Sequence, residues 1–267
     1  MQIIFIGGGN MAEAIFSRLY DLGLNIIVVQ RNLDKRSRLA AAYSFIRFLP
    51  KLDFIPAKED ILILAVKPQD AKQSCQSLPI INCAIVSLMA GINTTTLARW
   101  LNSKLLIRVM PNTAASLGLS VTGIYYTPDV LPQHRKIVES IMSHIGTNYI
   151  VKDENTINKF TAIAASAPAY IFYFVEGLIE TAITQFGFSP TEAHNITLQV
   201  LKGSLTMIEL NPNIPIKKLR ANITSNKGTT EEAINIFDKQ NLKLIIKEAE
   251  LACYSRAQEL AEAINKE

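Results

Sequence analysis

The 267-residue sequence has few of the residues from which disulfide frameworks and metal centres are built. Its three cysteines, Cys75, Cys83 and Cys253, are an odd number without a C-x-x-C pair. No histidine or further cysteine lies at metal-ligand spacing from them. We therefore expect buried thiols in a reducing compartment and no metal site.

Charge is also sparse. Charged residues make up 19% of the chain, and 27 Lys and Arg against 23 Asp and Glu leave a formal net charge of +4. Because no basic run of the kind that neutralises duplex phosphates occurs, nucleic acid is not expected as a partner. With 49% hydrophobic residues, the chain is able to bury a core and is not expected to be disordered.

Targeting and membrane-spanning signals are missing as well. The strand-like residues Ile3 to Ile6 are preceded by no basic leader and followed by no small-residue cleavage site. The membrane-like stretch from Ala162 to Val175 is shorter than the ~20 residues that cross a bilayer. It contains Pro168 and is closed by Glu176. These features predict a cytoplasmic protein that does not enter a membrane.

Short apolar runs alternate with stretches of helical length over roughly the first 150 residues. This alternation is typical of βαβ units around a parallel sheet that is buried on both faces. The candidate strands are Gln2 to Ile6, Asn25 to Gln30, Ile61 to Val66, Ala84 to Ser87, Leu105 to Val109, Val121 to Tyr125 and Thr147 to Val151.

Strand signals end after Asp153, and apolar residues then follow helical spacing. Helices are predicted from Pro168 to Gly187, Pro190 to Leu210 and Leu242 to Ile264. The first of these has two adjacent apolar faces, which favours burial within the domain and against a second subunit. The sequence predicts an α/β fold, with a doubly wound sheet in residues 1–152 and an all-α domain in residues 153–267.

A glycine-rich turn directly follows the first predicted strand. The residues from Ile6 through Gly7, Gly8, Gly9, Asn10 and Met11 to Ala12 fit the G-x-G-x-x-A pattern of Rossmann-type dinucleotide sites. Gly7 permits the tight turn, Gly9 lets the backbone approach a pyrophosphate, and Ala12 lets helix and strand pack closely. An ordinary glycine-rich turn is the alternative interpretation.

The end of the second predicted strand bears on the choice of nicotinamide cofactor. NAD sites place an acidic residue there to hold the ribose 2′-hydroxyl. This chain instead has Gln30, Arg31 and Asn32, with Lys35 and Arg36 one helical turn on. A 2′-phosphate would meet cations there, so NADPH is favoured over NADH. Alternatively, Arg31 and Lys35 are solvated charges at a helix end.

Five further segments resemble the signature sequences of the pyrroline-5-carboxylate reductase family, and with the glycine turn they extend the resemblance over essentially the whole chain. They are Ile63 to Gln69 (A-V-K-P), Ala90-Gly91, Arg108 to Thr113 (R-V-M-P-N-T), Ser166 to Tyr170 (S-G-P-A-Y) and Leu219 to Thr230 (L-R-D-x-V-T-S-P-G-G-T-T).

The resemblance implies an NADPH-dependent reductase, with NADH a weaker cofactor, that converts 1-pyrroline-5-carboxylate to L-proline. It also implies a homodimer or a larger ring built on the helical half. By the resemblance, further cofactor-binding residues are Ala65, Val66, Lys67, Pro68, Ala90, Gly91 and Asn112. The alternative interpretation of Lys67 is a surface lysine at a strand end.

By the resemblance, the substrate carboxylate binds the segment Ser225, Asn226, Lys227, Gly228 and Thr229, and the hydroxyl of Thr230 lies near the imine nitrogen as the catalytic group. Free N–H groups at a helix start suit a small carboxylate. The alternative is plain capping of a helix by Thr229 or Thr230.

This chain departs from the family pattern at several positions. Alanines stand at 164, 165 and 167, where S-G-S-G is common. Ala114 replaces a proline, Ala221 replaces an aspartate, and Asn226-Lys227 replaces P-G. Lys227 has to adopt whatever backbone conformation glycine provides in the family.

Two other functions remain open on the sequence. One is a non-catalytic NADP(H)-binding protein with an interaction or regulatory role. The other is a reductase of a related cyclic imine or of a hydroxy acid. A hydroxy-acid enzyme needs a stronger general acid than the sequence offers, because His134, His144 and His194 lie in unrelated helical settings. All three histidines are expected at helix surfaces or boundaries.

Overall fold

A computed structural model describes residues 1–265 and contains an eight-stranded sheet. Its strand order is β3-β2-β1-β4-β5-β6-β7-β8, and all neighbouring strands are parallel except β6 and β7. The strands are β1 Gln2–Ile6, β2 Asn25–Val29, β3 Ile46–Leu49, β4 Ile61–Leu64, β5 Ala84–Ser87, β6 Leu106–Met110, β7 Ser120–Tyr126 and β8 Gly146–Ile150.

Helices cover both faces of the sheet. They are α1 Asn10–Phe16, α2 Leu33–Ala42, α3 Ala71–Gln76, α4 Thr94–Leu101 and α5 Pro132–Ser143. Alternate strand residues enter two separate apolar clusters, with Ile3 and Phe5 in one and Ile4 and Ile6 in the other. Burial on both faces is the reason that β1 is apolar throughout rather than alternating.

The seven predicted strands are present, and the structure adds β3. This strand lies at the sheet edge, and only Ile46 of its four residues is buried, so its pattern lacks a continuous apolar run. The expectation of a parallel sheet is wrong for β7, which runs antiparallel to β6. The physical reason is the short connection through residues 111–119, because a parallel partner requires a crossover of a dozen or more residues.

Between β8 and residue 265 all regular secondary structure is helical. The elements are α6 Asn155–Phe160, a π-helical segment Thr161–Ala165, α7 Ala167–Thr184, α8 Pro190–Glu209, α9 Ile216–Asn222, α10 Thr229–Lys239 and α11 Leu242–Asn265. The change from strands to helices falls near residue 152, and the predicted domain boundary at that residue stays a prediction. The helical run from Asn155 to Thr184 has 30 residues and is therefore longer than the apolar stretch from Ala162 to Val175 that the sequence shows.

The chain forms two compact units. The α/β unit comprises residues 1–168 and α11 from residue 251 onward, and the helical unit comprises residues 169–250. The end of α11 belongs to the α/β unit because it packs there, with Ile264 against one apolar cluster and Ala261 beside Gly91.

The helical unit buries little of its own apolar surface. Within residues 169–250, all of which the structure describes, only Ala193 and Thr197 are buried. Aromatic side chains of α7 are exposed in the single chain, including Phe172 at 69% and Tyr173 at 79%. An apolar helix of a soluble domain normally buries such side chains, so this unit is incomplete as a single chain.

Candidate functional site

The glycine turn has the backbone that the motif predicts. Gly7 lies at φ +98°, and a Cβ at this position would come within 2.8 Å of the Ala65 carbonyl oxygen. Its N–H donates to the Val29 carbonyl at 2.9 Å. Gly9 precedes α1 with no side-chain cap, which leaves the first N–H groups of the helix without a side-chain acceptor. The turn is therefore a bare backbone cradle between the ends of β2 and β4.

A cleft of about 580 Å³ opens at this cradle, on the carboxyl side of β1, β2, β3 and β4. This is where open α/β sheets bind ligands. The predicted cofactor residues that line it are Ile6, Gly7, Gly8, Gly9, Arg31, Lys35, Ala65, Val66 and Lys67. Sequence reasoning missed two further groups of lining residues. One follows β3 and the other lies in α3 and directly after it: Pro50, Lys51, Leu52, Ser74, Ser77 and Leu78.

The two arginines at the turn after β2, Arg31 and Arg36, have different roles. Arg36 donates through Nη1 to the carbonyls of Gln30 at 2.9 Å and Arg31 at 3.3 Å, so it holds the turn. Arg31 and Lys35 line the cleft and form no ion pair with any residue in 1–265. The arrangement suits an anionic group at this end of the cleft.

Asn32 has a structural role in the same turn. Its side chain accepts from the Lys35 N–H at 2.8 Å and caps α2, and it does not line the cleft. Asn10 and Met11 line a different cavity of about 530 Å³, beside Glu13 and Tyr43.

Three predicted residues pack or turn the chain near the cleft. Ala12 is fully buried in the core. Pro68 begins the 3₁₀ turn Pro68–Asp70 after β4. Gly91 lies at φ +78°, and a Cβ there would be 3.4 Å from the backbone of Ala261. The left-handed backbone at Gly91 favours glycine, and the loop that contains the exposed Ala90 packs beside the last helix there.

Asn112 compensates for a missing hydrogen bond in the helical run. Pro168 has no N–H, so it leaves the carbonyl of Ala164, four residues earlier, without its helical donor. Asn112 Nδ2 donates to that carbonyl at 3.2 Å, and the Asn112 Oδ1 accepts from the Ala114 N–H at 3.2 Å. The signature asparagine therefore joins the end of β6 to the π-helical segment, a kind of distortion that often occurs at functional sites.

The two alanines that replace family glycines near this segment, Ala165 and Ala167, carry no backbone strain. Positive φ outside glycine occurs only at Asn102, Lys227 and Asn241 in the part of the chain that the structure describes. Ala165 and Ala167 are therefore accommodated without a left-handed backbone.

Sequence reasoning also missed a buried ionic cluster. Arg108 on β6 is 3% exposed and pairs with Glu154 at 3.0 Å. Burial lowers the pKa of Arg108, against the attraction of Glu154. Glu154 also accepts from the Thr94 N–H at 2.7 Å and hydroxyl at 2.6 Å. The apolar setting of the strand gives no local signal of the partner, which is 46 residues away.

The predicted substrate loop precedes α10 in the helical unit. Lys227 has φ +56°, which is the left-handed region that glycine adopts easily and lysine does not. Its N–H donates to the Glu231 carboxylate at 2.6 Å. A Cβ at Gly228 would displace the Ser225 hydroxyl and lie 3.0 Å from the Ser225 carbonyl oxygen, so this position has little room for a side chain. The loop is tightly closed on itself.

The capping interpretation of the threonines is wrong, because Gly228 is the N-cap of α10 and no side chain caps it. Within residues 1–265, the hydroxyls of Ser225, Thr229 and Thr230 form no hydrogen bond with the chain. The first N–H groups of an 11-residue helix and three hydroxyls are therefore available to a ligand.

No group of three metal-ligating side chains occurs among residues 1–265. Cys75 and Cys83 are buried as expected, and burial raises their thiol pKa values to about 11 and about 12. Cys253 is half-buried. The expectation for His134 is wrong, because it is buried on α5, with Nε2 3.2 Å from the Lys58 carbonyl.

Comparison with known proteins agrees with both halves of this description. Residues 2–91 match the family model described as "NADP oxidoreductase coenzyme F420-dependent", and residues 154–260 match "Pyrroline-5-carboxylate reductase dimerisation". The chain is 35% identical to the pyrroline-5-carboxylate reductase of Vibrio alginolyticus and 33% identical to that of Pasteurella multocida, covering 97% of both partners in each comparison. A solved pyrroline-5-carboxylate reductase from Coxiella burnetii is 33% identical with a TM-score of 0.82, over 97% of this chain and 98% of that one.

The fold and these matches define an NADP-dependent oxidoreductase with an α/β cofactor domain followed by a helical dimerisation domain. The chain belongs to the pyrroline-5-carboxylate reductase family. It forms a homo-oligomer through its helical region. The helical run Asn155–Thr184 is long and apolar enough to cross a membrane, but it lies entirely inside the matched dimerisation region and therefore belongs to the dimerisation domain of this enzyme family.

Proposed function

We propose that the protein reduces 1-pyrroline-5-carboxylate to L-proline with NADPH in the cytoplasm, as a dimer or a ring of dimers. The observation that carries the proposal is full-length membership of the family combined with a cofactor cleft whose turn requires glycine at position 7. When NADPH is bound, its nicotinamide would supply a hydride to the imine carbon, which is C2 of the 1-pyrroline ring and becomes C5 of proline. A proton would reach the ring nitrogen, so that the C=N bond becomes the C–N bond of a secondary amine.

The cofactor residues of this chain divide the dinucleotide between them. Gly7, Gly8 and Gly9 hold the diphosphate against backbone N–H groups. Arg31 and Lys35 receive the 2′-phosphate. Support comes from the lack of an ion pair at either cation within residues 1–265, and from the sequence Gln30-Arg31-Asn32 after β2, which has no carboxylate.

We assign substrate recognition to the loop before α10. The N–H groups of Thr229 and Thr230 and the Ser225 hydroxyl bind the carboxylate, with Asn226 and Lys227 closing the loop. The Thr230 hydroxyl donates toward the imine nitrogen, where it orients the ring and relays the proton. An imine that is protonated near neutral pH needs little further acid, so positioning accounts for most of the catalysis.

The test follows the loss of NADPH absorbance when pyrroline-5-carboxylate is added. We expect turnover by the wild type and a fall in kcat of about 10²-fold in Thr230→Val, because the positioned hydroxyl is lost. Thr191→Val removes an equally exposed hydroxyl from the start of α8 and serves as the control. Full activity in Thr230→Val would remove Thr230 from the mechanism.

One observation favours a second function, a catalytically silent NADP(H)-binding protein. It is the left-handed conformation of Lys227, where the family pattern has glycine. Such a conformation costs about 1–2 kcal/mol in a residue with a Cβ. If the wild type binds NADPH without turnover and Lys227→Gly restores turnover, the silent protein becomes the better assignment. If both proteins turn over, the reductase assignment stands.

A further inference from the structure

Besides Arg31, Lys35 and Lys67, the cofactor cleft has a fourth cation, Lys51, that none of the sequence motifs accounts for. Lys51 follows β3 and lines the same cleft as Arg31 and Lys35. It is exposed, and it forms no ion pair with any residue that the structure describes. β3 ends two residues before Lys51, and β2, with which β3 pairs, ends two residues before Arg31.

The strand register supports this placement. Val29 of β2 is paired with Leu49 of β3, and the ladder continues with the Gln30 N–H donating to the Leu49 carbonyl at 2.8 Å. Arg31 lies two residues after Val29, and Lys51 lies two residues after Leu49. Parallel neighbours in a sheet are about 4.8 Å apart, so the two chain segments leave the sheet next to each other, and both Arg31 and Lys51 line the cleft.

The charges around this corner favour a dianion. Arg31, Lys35 and Lys51 reach the cleft from β2, α2 and β3, whereas Arg36 is held by backbone carbonyls of the turn. The carboxylate among the lining residues is Asp70, which follows β4.

We propose that Lys51 is a specificity-determining residue that binds the 2′-phosphate of NADPH together with Arg31. This inference rests on the proposed use of NADPH. Two cations on separate strands hold the phosphate from two sides, and an NADH ribose offers neither of them a charged partner. A lysine at the end of β3 thus selects the cofactor from outside the turn that usually reads it.

The experiment measures binding and does not require turnover. Calorimetry with 2′,5′-ADP and 5′-AMP, and fluorescence titration with NADPH and NADH, are applied to the full-length wild type and Lys51→Gln. We expect Lys51→Gln to weaken 2′,5′-ADP and NADPH about tenfold, because a charge-assisted bond is lost. Binding of 5′-AMP and NADH should change by less than about twofold, because neither has the phosphate.

Two further variants sharpen the result. Lys51→Arg should retain NADPH affinity, and Lys58→Gln, which removes an exposed lysine outside the cleft from the same loop, should behave as wild type. Equal weakening of all four ligands in Lys51→Gln, or no change in any, would overturn the role of Lys51. Turnover with pyrroline-5-carboxylate is recorded separately, so a silent enzyme that still prefers 2′,5′-ADP contradicts the proposed function and not this inference.

Discussion

The two units of the chain differ in how much of their apolar surface they bury without help. In the α/β unit, Phe5, Phe16 and Ile27 are fully buried. In the helical unit, long helices have large apolar side chains on open faces, and Phe172 remains 69% exposed. The first unit completes its own core, whereas the second leaves its apolar faces open within the region that matches the dimerisation model.

The largest effect should come from charging the open face of α7. We expect Phe172→Glu to dissociate the oligomer and to unravel much of the helical unit, because isolated helices are marginal in water. Light scattering gives the mass, and circular dichroism at 222 nm gives the helix content. Tyr20→Glu is the control, since Tyr20 is 61% exposed in the α/β unit. An unchanged mass for Phe172→Glu would mean that α7 is outside the interface.

The buried pair Arg108–Glu154 tests the self-sufficient core of the α/β unit. We expect Glu154→Gln to lower the free energy of unfolding by about 3 kcal/mol, because it leaves a buried guanidinium without its counter-ion. Denaturant unfolding measures the change. Glu259→Gln breaks the exposed pair with Arg256 and should leave the midpoint unchanged. Equal effects of the two variants would show that burial does not distinguish them.

Two glycines with positive φ separate fold stability from cofactor binding. Gly7→Ala should cost about 2 kcal/mol and weaken NADPH binding more than tenfold, because the new Cβ meets the Ala65 carbonyl. Gly23→Ala faces open space, so we expect it to cost about 1 kcal/mol and to leave NADPH affinity as in the wild type. Unfolding curves and NADPH fluorescence provide the readouts. NADPH affinity retained in Gly7→Ala would contradict the assigned cradle.

The smallest effect concerns the thiols. At pH 8, iodoacetamide should modify Cys253 in the folded protein and spare Cys75 and Cys83, whose pKa values burial raises to about 11 and about 12. Mass spectrometry of peptides gives the sites, and all three cysteines should react in urea. Because the folded-state pKa values exceed the ordinary value of 9.0, the two thiols contribute stability below pH 9.0 that declines as the pH rises further. Labelling of Cys83 without urea would show that this core opens.

Local patterns predict a large part of this molecule for identifiable reasons. Seven strands follow from apolar runs, and the start of α10 at Thr229 follows from the polar loop that precedes it. Strand β3 has no such run, and the antiparallel β7 depends on the length of a connection. The buried His134 looks like any other helical histidine in the sequence, since its carbonyl partner at Lys58 is 76 residues away.

The candidate site divides in the same way. The glycine cradle consists of consecutive residues that match a sequence motif. Arg31 follows the second strand, at the position where dinucleotide sites distinguish NAD from NADP. Lys51 enters the cleft only because β3 pairs with β2, and Asn112 meets the Ala164 carbonyl only because the helical run packs on the end of β6. The residues next to Lys51 and Asn112 in the sequence give no indication of these contacts.

The sequence by itself therefore determined the class of fold, the cofactor turn and the family, because these depend on residue type at short spacing. Tertiary structure decided which cations line the same cleft, which polar side chains have a structural role, and which helices leave apolar faces exposed in the single chain. Those properties depend on contacts between residues that are distant in sequence, where pairing, burial and charge act only after the chain has folded.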